Sequence, residues 1–549
     1  MLRVIRGSIL GGQKTNHENT ISISIMSNVI DEVAEGFDPL PELLSVMDRS
    51  GTAVLLGLDI GTSGVRGVLF DERGGEITGT NVRLNSQDTT LLSTGTIHPD
   101  ILLDLVKRAI DEVLANIFDP DTRIELVSVS CFWHSLLGVD RNGKPTTPIL
   151  GWNDLRAAPE AKRLRSQLNE AEFHSRTGCR FHSSYWPAKL LRLREKESGT
   201  FSRTARWISF SEYLALRFFG ESHISVSMAS GTGLLNQRTC EWEVDLLGEL
   251  DIDLAELPEI CRPGQTHQLT EEFATRWPQL GEARFFPAIG DGAANNVGAG
   301  CTSEDYMALM VGSSGAMRVV YEGDPPMVPP ELWCYRVDRK RVAIGGALSD
   351  GGNLYGWLRD SLLDDCDAQS IQDELALMES DAHGLTVLPF WFGERSTGWN
   401  ESMRGSIHGL SSATQPIEIL RAAMEAVAYR LALIADALSP FAPHASLIAS
   451  GYALSSSPAW VQILADVLGS PIQLSETYEA STRGAALLAL EAAGKIQSIN
   501  RHSVNVNNQS KIFTPDMTRH QRYRNALERQ QRLYEKMISQ TESNIRTVK

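Results

Sequence analysis

Val54-Leu55-Leu56-Gly57-Leu58-Asp59-Ile60-Gly61-Thr62-Ser63-Gly64-Val65-Arg66-Gly67-Val68 is the stretch on which the fold turns. Residues 53–58 form an apolar run with the composition of a buried strand. A tight turn of Gly61, Thr62, Ser63 and Gly64 follows, and residues 65–70 read as a second strand. Asp71-Glu72-Arg73-Gly74-Gly75 is a hairpin turn into a third strand over 76–84. The same unit recurs as Gly312-Ser313-Ser314-Gly315-Ala316-Met317-Arg318-Val319, again behind an apolar run, 307–311. A strand–turn–strand unit used twice, half a chain apart, predicts two similar domains facing each other.

Outward from this unit, residues 100–117 carry Leu102, Leu103, Leu105, Val106, Ile110, Val113 and Leu114 at helical spacing, and 126–131 reads as a further strand. Strands and helices alternate to the end, so the class is α/β. The chain has 549 residues, whereas one core rarely exceeds roughly 250–300. Its 51 Lys+Arg against 68 Asp+Glu give a net charge of −17, which disfavours nucleic acid and anionic membranes as partners. The apolar run near 422–442 is broken by Glu425, Arg430 and Asp436, so no membrane span is expected. Seven scattered cysteines without a CxxC pair, and no His pair at zinc-ligand spacing, read as reduced thiols in a cytoplasmic protein. Residues 1–51 lack a secretory signal and read as a weakly ordered extension, with Met26 an alternative start.

The Gly-rich turns are candidate anion sites. Concave backbone N–H groups cradle phosphate oxygens, and glycine lets the ligand approach. Asp59, at the strand end, would repel a phosphate unless Mg²⁺ mediated between them. A plain hairpin is the bland reading of one such turn; Asp59 and the repeat together favour a nucleotide clamp. Gly138-Val139-Asp140-Arg141-Asn142-Gly143-Lys144 satisfies GxxxxGK, but Pro145 follows where a P-loop needs Ser or Thr, so it reads as a hairpin turn. In Ile289-Gly290-Asp291-Gly292-Ala293, an acid sits among glycines at a strand-to-helix turn. An accessible Asp on a fixed turn suits a general base for a hydroxyl, although a helix N-cap would use the same residue.

Together these residues resemble the FGGY family of carbohydrate kinases, closest to its gluconokinase and xylulokinase branch, from about residue 55 to 493. The likeness rests on the two Gly-rich turns and on Trp133-His134-Ser135. It continues through Gly151-Trp152-Asn153-Asp154-Leu155-Arg156, Ser227-Met228-Ala229-Ser230-Gly231-Thr232-Gly233, Gly290-Asp291-Gly292, Phe392-Gly393-Glu394-Arg395 and Ser450-Gly451-Tyr452-Ala453. It implies two actin-like, ribonuclease-H-like domains with a cleft between them, an N-terminal domain over 52–300 and a C-terminal domain over 301–498, then a helical tail over 499–549. It also implies an enzyme that uses ATP and Mg²⁺ to phosphorylate a small sugar or sugar acid, and leaves room for a homodimer. By resemblance Asp291 is the base, and Asp59 with Asp291 faces Mg²⁺. Gly61, Thr62, Ser63 and Arg66 lie near the transferred phosphoryl. Gly312, Ser313, Ser314 and Gly352 lie near the nucleotide phosphates, and Gly451 and Ser455 flank the adenine. Trp133, His134, Trp152 and Asp154 join Asp291 on the sugar side, with Arg156 structural.

The acceptor is read as gluconate first and a ketopentose such as xylulose second. His134, Arg180 and His182 are candidate cationic donors to a carboxylate, against the reading that Arg180 and His182 are surface residues. Ser225 and Asn236 stand where the family often has acids, and Tyr452 is expected to narrow or stack on the base pocket. Trp186, Trp357 and Trp391 read as packing residues, and 520–537 as a solvated terminal helix. A non-catalytic nucleotide-switched binding protein on the same core is the alternative of another class.

Overall fold

The two Gly-rich hairpins each seed a sheet, and in both sheets the hairpin's first strand also runs parallel to a later strand on its other edge. In the computed structural model the described residues are 54–86, 94–117, 122–475, 477, 479–502 and 511–547; the extension over 1–51 lies outside them. In the first sheet Val54–Ile60 pairs antiparallel with Gly64–Phe70, ending at Ile60 opposite Val65, and Val82–Asn85 pairs on the far side. On its other edge Val54–Ile60 runs parallel to Ile124–Cys131, beside which lie Arg284–Phe285 and Ile289–Gly290. In the second sheet Tyr306–Val311 pairs antiparallel with Gly315–Glu322, then Arg341–Leu348, and runs parallel to Ser446–Ser450, then Ile472–Leu474. Thus both halves place three antiparallel strands beside parallel additions, the ribonuclease-H-like arrangement, and the second adds Trp333–Arg336 on the outer edge of Arg341–Leu348.

Local chemistry explains the elements. Pro99–Ala115 lays Leu102, Leu103, Val106, Ile110 and Val113 on the first sheet, and Pro99 starts it where a missing N–H costs nothing. The predicted third strand over 76–84 contracts to Val82–Asn85. Glu76 makes only a single bridge to Phe70. Between them the Thr80 hydroxyl donates to the Ile77 carbonyl (2.7 Å) and accepts from Leu69 N–H (3.1 Å), a side-chain turn that outcompetes the ladder.

Of the charges that interrupt 422–442, Glu425 and Arg430 are buried and paired in the helix Pro416–Leu438, while Asp436 is exposed. Glu425 accepts from Arg421 Nε (2.7 Å) and from the Tyr523 hydroxyl (2.9 Å), and Arg430 binds Glu394. Among the described residues no helix is long and apolar enough to cross a membrane. All seven cysteines are free, six of them buried.

Two late segments depart from the sequence reading. The tail is not solvated: Ile512–Phe513 adds a strand to the second sheet, and Met517–Thr547 buries Tyr523, Ala526, Leu527 and Gln530. Those residues, with Leu533 and Tyr534, recur at the spacing of one helical face, which the surrounding Arg and Gln residues mask in composition. The helix Ala480–Ala492 crosses back to the first sheet, where Ala486, Ala489 and Leu490 cover Leu55, Val68 and Phe70. It also meets the helix Asp291–Gly298 backbone to backbone. A Cβ on Gly298 would overlap the Ala480 carbonyl, and one on Gly484 would overlap that of Ala294.

Candidate active site

Asp291 is the first residue of its helix, immediately after the strand Ile289–Gly290. Its Oδ1 accepts from Gly292 N–H at 2.8 Å. The glycines on either side are sterically required: a Cβ on Gly290 would overlap the Trp133 indole, and one on Gly292 would press on Trp133 and the Arg318 guanidinium. Burial pushes the Asp291 carboxyl above the usual range, Arg318 opposes this, and Asp59 adds to it. A raised but cation-supported carboxylate is the state a general base needs.

A cavity opens beside Asp291. Trp133, His134 and Trp152 wall it from the first half, and Ser314, Arg318, Trp333, Tyr335 and Arg395 from the second. The Trp133 indole donates to the Ser227 carbonyl (2.9 Å) and meets Tyr335 edge-on at 4.9 Å. His134 holds a left-handed backbone (φ 69°). Its carbonyl accepts from the buried Lys189 ammonium at 2.9 Å. Burial, then Arg395, drives its pKa well below the usual value, so the ring is neutral. Nδ1–H donates to the Gly231 carbonyl (2.5 Å), which leaves Nε2 to accept from Arg395 Nη2 (3.4 Å).

The cationic donors expected from sequence are therefore the wrong ones. His134 is neutral. His182 is buried, its pKa pushed down to about 4 by desolvation, and its Nε2–H donates to the Glu394 carbonyl (3.1 Å). Arg180 pairs with Glu170 at 2.6 Å, so neither residue is a free surface group or a cavity donor. Asp154 is buried, both its oxygens are held by Arg156 (2.8 and 2.7 Å), and it caps the turn Leu155–Ala157. Of the three tryptophans read as packing, Trp186 is buried and Trp391 half-buried, but Trp357 is mostly exposed, tilted against Trp391 at 5.7 Å.

The charges in the cavity are Arg318 and Arg395, neither singled out as a site residue from sequence. Both are buried. Nε and Nη1 of Arg318 and Nε of Arg395 have no hydrogen-bond partner among the described residues. Burial, aided by Arg395, lowers the Arg318 pKa to about 10, against the pull of Asp291. The Arg395 guanidinium lies over the Trp152 ring at 5.4 Å. Its neighbour Glu394 is fixed by Arg430 and by the Tyr534 hydroxyl (2.5 Å) from the last helix. A signal existed for Arg318: it stands in an apolar strand where the first copy of the repeat has Gly67.

The two Gly-rich hairpins are the candidate phosphate cradles. Gly61, Thr62 and Ser63 form a half-buried turn. Asp59 behind them accepts from Ser130 Oγ and Arg66 Nη1, each at 2.8 Å, and Arg66 Nε lies 3.5 Å from Glu479. Across the gap, Gly352 N–H donates to the Gly312 carbonyl (2.8 Å) and Asn353 N–H to that of Ser313 (3.0 Å). This seats the start of the helix Gly352–Leu362 against the second turn, which contains Ser314. Gly451 has φ 102° and sits where a Cβ would overlap the Val311 carbonyl. Ser455 is exposed, and its hydroxyl donates to the Tyr452 carbonyl (3.1 Å), while Tyr452 is exposed beside it. Asp59 and Asp291 with Glu479, which sequence reading missed, make a concentration of carboxylates; Asp59 raises the pKa of both others. That donor set fits a hydrated Mg²⁺ bridging to a polyphosphate.

Residues 54–298 match the N-terminal domain, and residues 307–493 the C-terminal domain, of the FGGY family of carbohydrate kinases. The chain is 28% identical to the gluconokinase of Bacillus subtilis (strain 168) over 462 residues, 82% of this chain and 89% of that protein. It is 24% identical to the xylulose kinase of Staphylococcus xylosus over 443 residues, 80% of this chain and 90% of that one. Among solved structures, the gluconate kinase from Lactobacillus acidophilus superposes with a TM-score of 0.78 at 26% identity, covering 89% of this chain and 98% of its own. The ligand-bound xylulose kinase from the same organism gives 0.77 at 25% identity, covering 88% and 98%.

Proposed function

Because the chain belongs to the FGGY family of carbohydrate kinases, and is thus an ATP-dependent sugar kinase, we propose that its acceptor is a sugar acid, gluconate. The observation that carries this reading is the pair of buried guanidinium groups, Arg318 and Arg395, with unmade hydrogen bonds beside Asp291. Two buried cations against one nearby carboxylate leave positive charge that a neutral ketopentose would not balance. An uncompensated buried charge costs about 3–5 kcal/mol, and a carboxylate removes that penalty with charge-assisted hydrogen bonds.

In this reading Asp291 accepts the proton of the acceptor hydroxyl as the oxygen attacks the γ-phosphorus. The bond from that phosphorus to the β–γ bridging oxygen breaks, and ADP departs with the electron pair. Arg318 counters the upward push of burial on the Asp291 carboxyl. The amides around Gly61–Gly64 and Gly312–Gly315 meet the phosphate oxygens, and the wall of Trp133, Trp333 and Tyr335 excludes water. Asp59 and Asp291, with water, would hold Mg²⁺, which neutralises the triphosphate when bound. The need for ATP and the seven unpaired thiols favour the cytoplasm.

The test is ADP release with gluconate, xylulose, ribulose, glycerol and erythritol as acceptors. Gluconate is expected to give the highest kcat/KM. Preference for a neutral sugar would overturn the acceptor assignment, and ATP binding without turnover on any would favour a non-catalytic switch.

A further inference from the structure

Outside the cleft, a second group of ligating side chains lies at the edge of the first half. Glu221 lies two residues before the strand His223–Ile224, His223 begins it, and His267 bridges to Phe285 at the rim of the first sheet. One ligating atom from each lies within 4.8 Å of the other two. We propose that Glu221, His223 and His267 form a site for a divalent transition metal, with Zn²⁺ the best match.

A tetrahedral zinc with bonds of 2.0–2.2 Å needs donors ~3.3 Å apart. His267 Nδ1 lies 2.6 Å from Glu221 Oε1 in a hydrogen bond, His223 Nδ1 lies 3.7 Å from the other oxygen, Oε2, and the two imidazole rings stack with centroids 5.8 Å apart. A metal would displace the proton of that hydrogen bond and draw the three donors together. His223 Nδ1 is buried with no hydrogen-bond partner among the described residues, a cost that a metal bond removes. Its other nitrogen faces Glu259 Oε2 at 3.8 Å, the carboxylate that typically orients a metal-bound imidazole. Phe219 stacks on His267 at 5.1 Å and 4°, fixing that ring. Two imidazoles exclude Mg²⁺ and Ca²⁺, which take oxygen ligands, so the site is chemically distinct from the phosphate side.

Three protein ligands leave a fourth position. Glu221 and His223 also wall a groove with Arg206, Ser222 and Asp253, so that position faces open space where water or a small anion fits. In sequence the two histidines stand too far apart for any zinc-ligand spacing; the fold brings them together. A bound ion would tie the ribbon of His223–Ile224 and Glu259–Ile260 to the rim of the first sheet. Ser225, next along the chain, bonds the Ala288 carbonyl (2.5 Å) just before Asp291.

The test is calorimetric titration of the full-length chelator-treated protein with zinc sulfate under saturating Mg²⁺, and of the same protein with cobalt(II) followed by visible absorption. One equivalent of Zn²⁺, a raised melting temperature and intense tetrahedral cobalt bands are expected. Glu221→Gln, at an exposed side chain, should weaken zinc by about tenfold or more, and the double variant His223→Ala/His267→Ala should abolish uptake. Asp291→Asn should leave it unchanged. Absence of uptake by the unmodified protein, or equal uptake by both site variants, would overturn the proposal. Kinase turnover of the variants on the preferred acceptor separates loss of the site from loss of the fold.

Discussion

Arg318→Met is the most informative perturbation of the cleft. The guanidinium presents Nε and Nη1 to the cavity without partners, and each charge-assisted hydrogen bond it makes to a carboxylate is worth about 1.5–3 kcal/mol. Loss of one such bond lowers kcat/KM for gluconate by about 10- to 150-fold at 1.36 kcal/mol per decade. A neutral polyol or ketopentose makes no such bond, so its kcat/KM on the pH-independent plateau should change by less than about threefold. A second readout is independent of affinity. Arg318 holds the Asp291 carboxyl down, so its removal raises that pKa, and the acid limb of the kcat profile moves to higher pH. The assay is coupled ADP release with gluconate and xylulose across pH 5.5–9. Equal losses on charged and neutral acceptors, with an unmoved acid limb, would refute both the carboxylate contact and the coupling to Asp291.

Asp291→Asn should lower turnover by about 10²–10⁴-fold or more while calorimetry finds ATP binding intact. Burial raises the Asp350 carboxyl to about 7, so the native state holds a proton that the unfolded chain releases near pH ~3.9. That group's contribution is fully present below pH ~4 and is lost as pH rises toward 7, by up to about 4 kcal/mol; denaturant titrations of Asp350→Asn should show a correspondingly flatter fall in stability across this window. Gly298→Ala drives a methyl into the Ala480 carbonyl, and a melting temperature lower by several degrees is expected, in keeping with a loss of about 2 kcal/mol or more.

The architecture was legible where the repeat carried it. Gly61–Gly64 and Gly312–Gly315 are local signals, since turn chemistry depends on neighbours in sequence, and both sheets grow from them. Asp291 was legible for the same reason: the glycines beside it make room for Trp133 and Arg318. Residues that depend on distant partners were not legible. Arg180 and His182 look like available cations until Glu170 and the Glu394 carbonyl are placed against them. Asp154 reads as a free carboxylate until Arg156 is placed against both its oxygens. Arg395 belonged to a motif already noted, yet only its position over Trp152 shows that its charge faces the cavity. The last helix misled through composition, because its buried stripe is diluted by Arg and Gln on the other faces.

The return of Ala480–Ala492 to the first sheet has a consequence for biosynthesis. Leu55, Val68 and Phe70 leave the ribosome early, but the residues that cover them emerge hundreds of codons later. At about 5–20 residues per second the uncovered face waits roughly 20–85 s. During that interval the nascent first half presents a sticky apolar plane beside unfinished strand edges, which makes it a natural client for holding chaperones. Expression of residues 54–298 alone should therefore yield aggregates, and co-expression with a segment spanning 480–492 should relieve them.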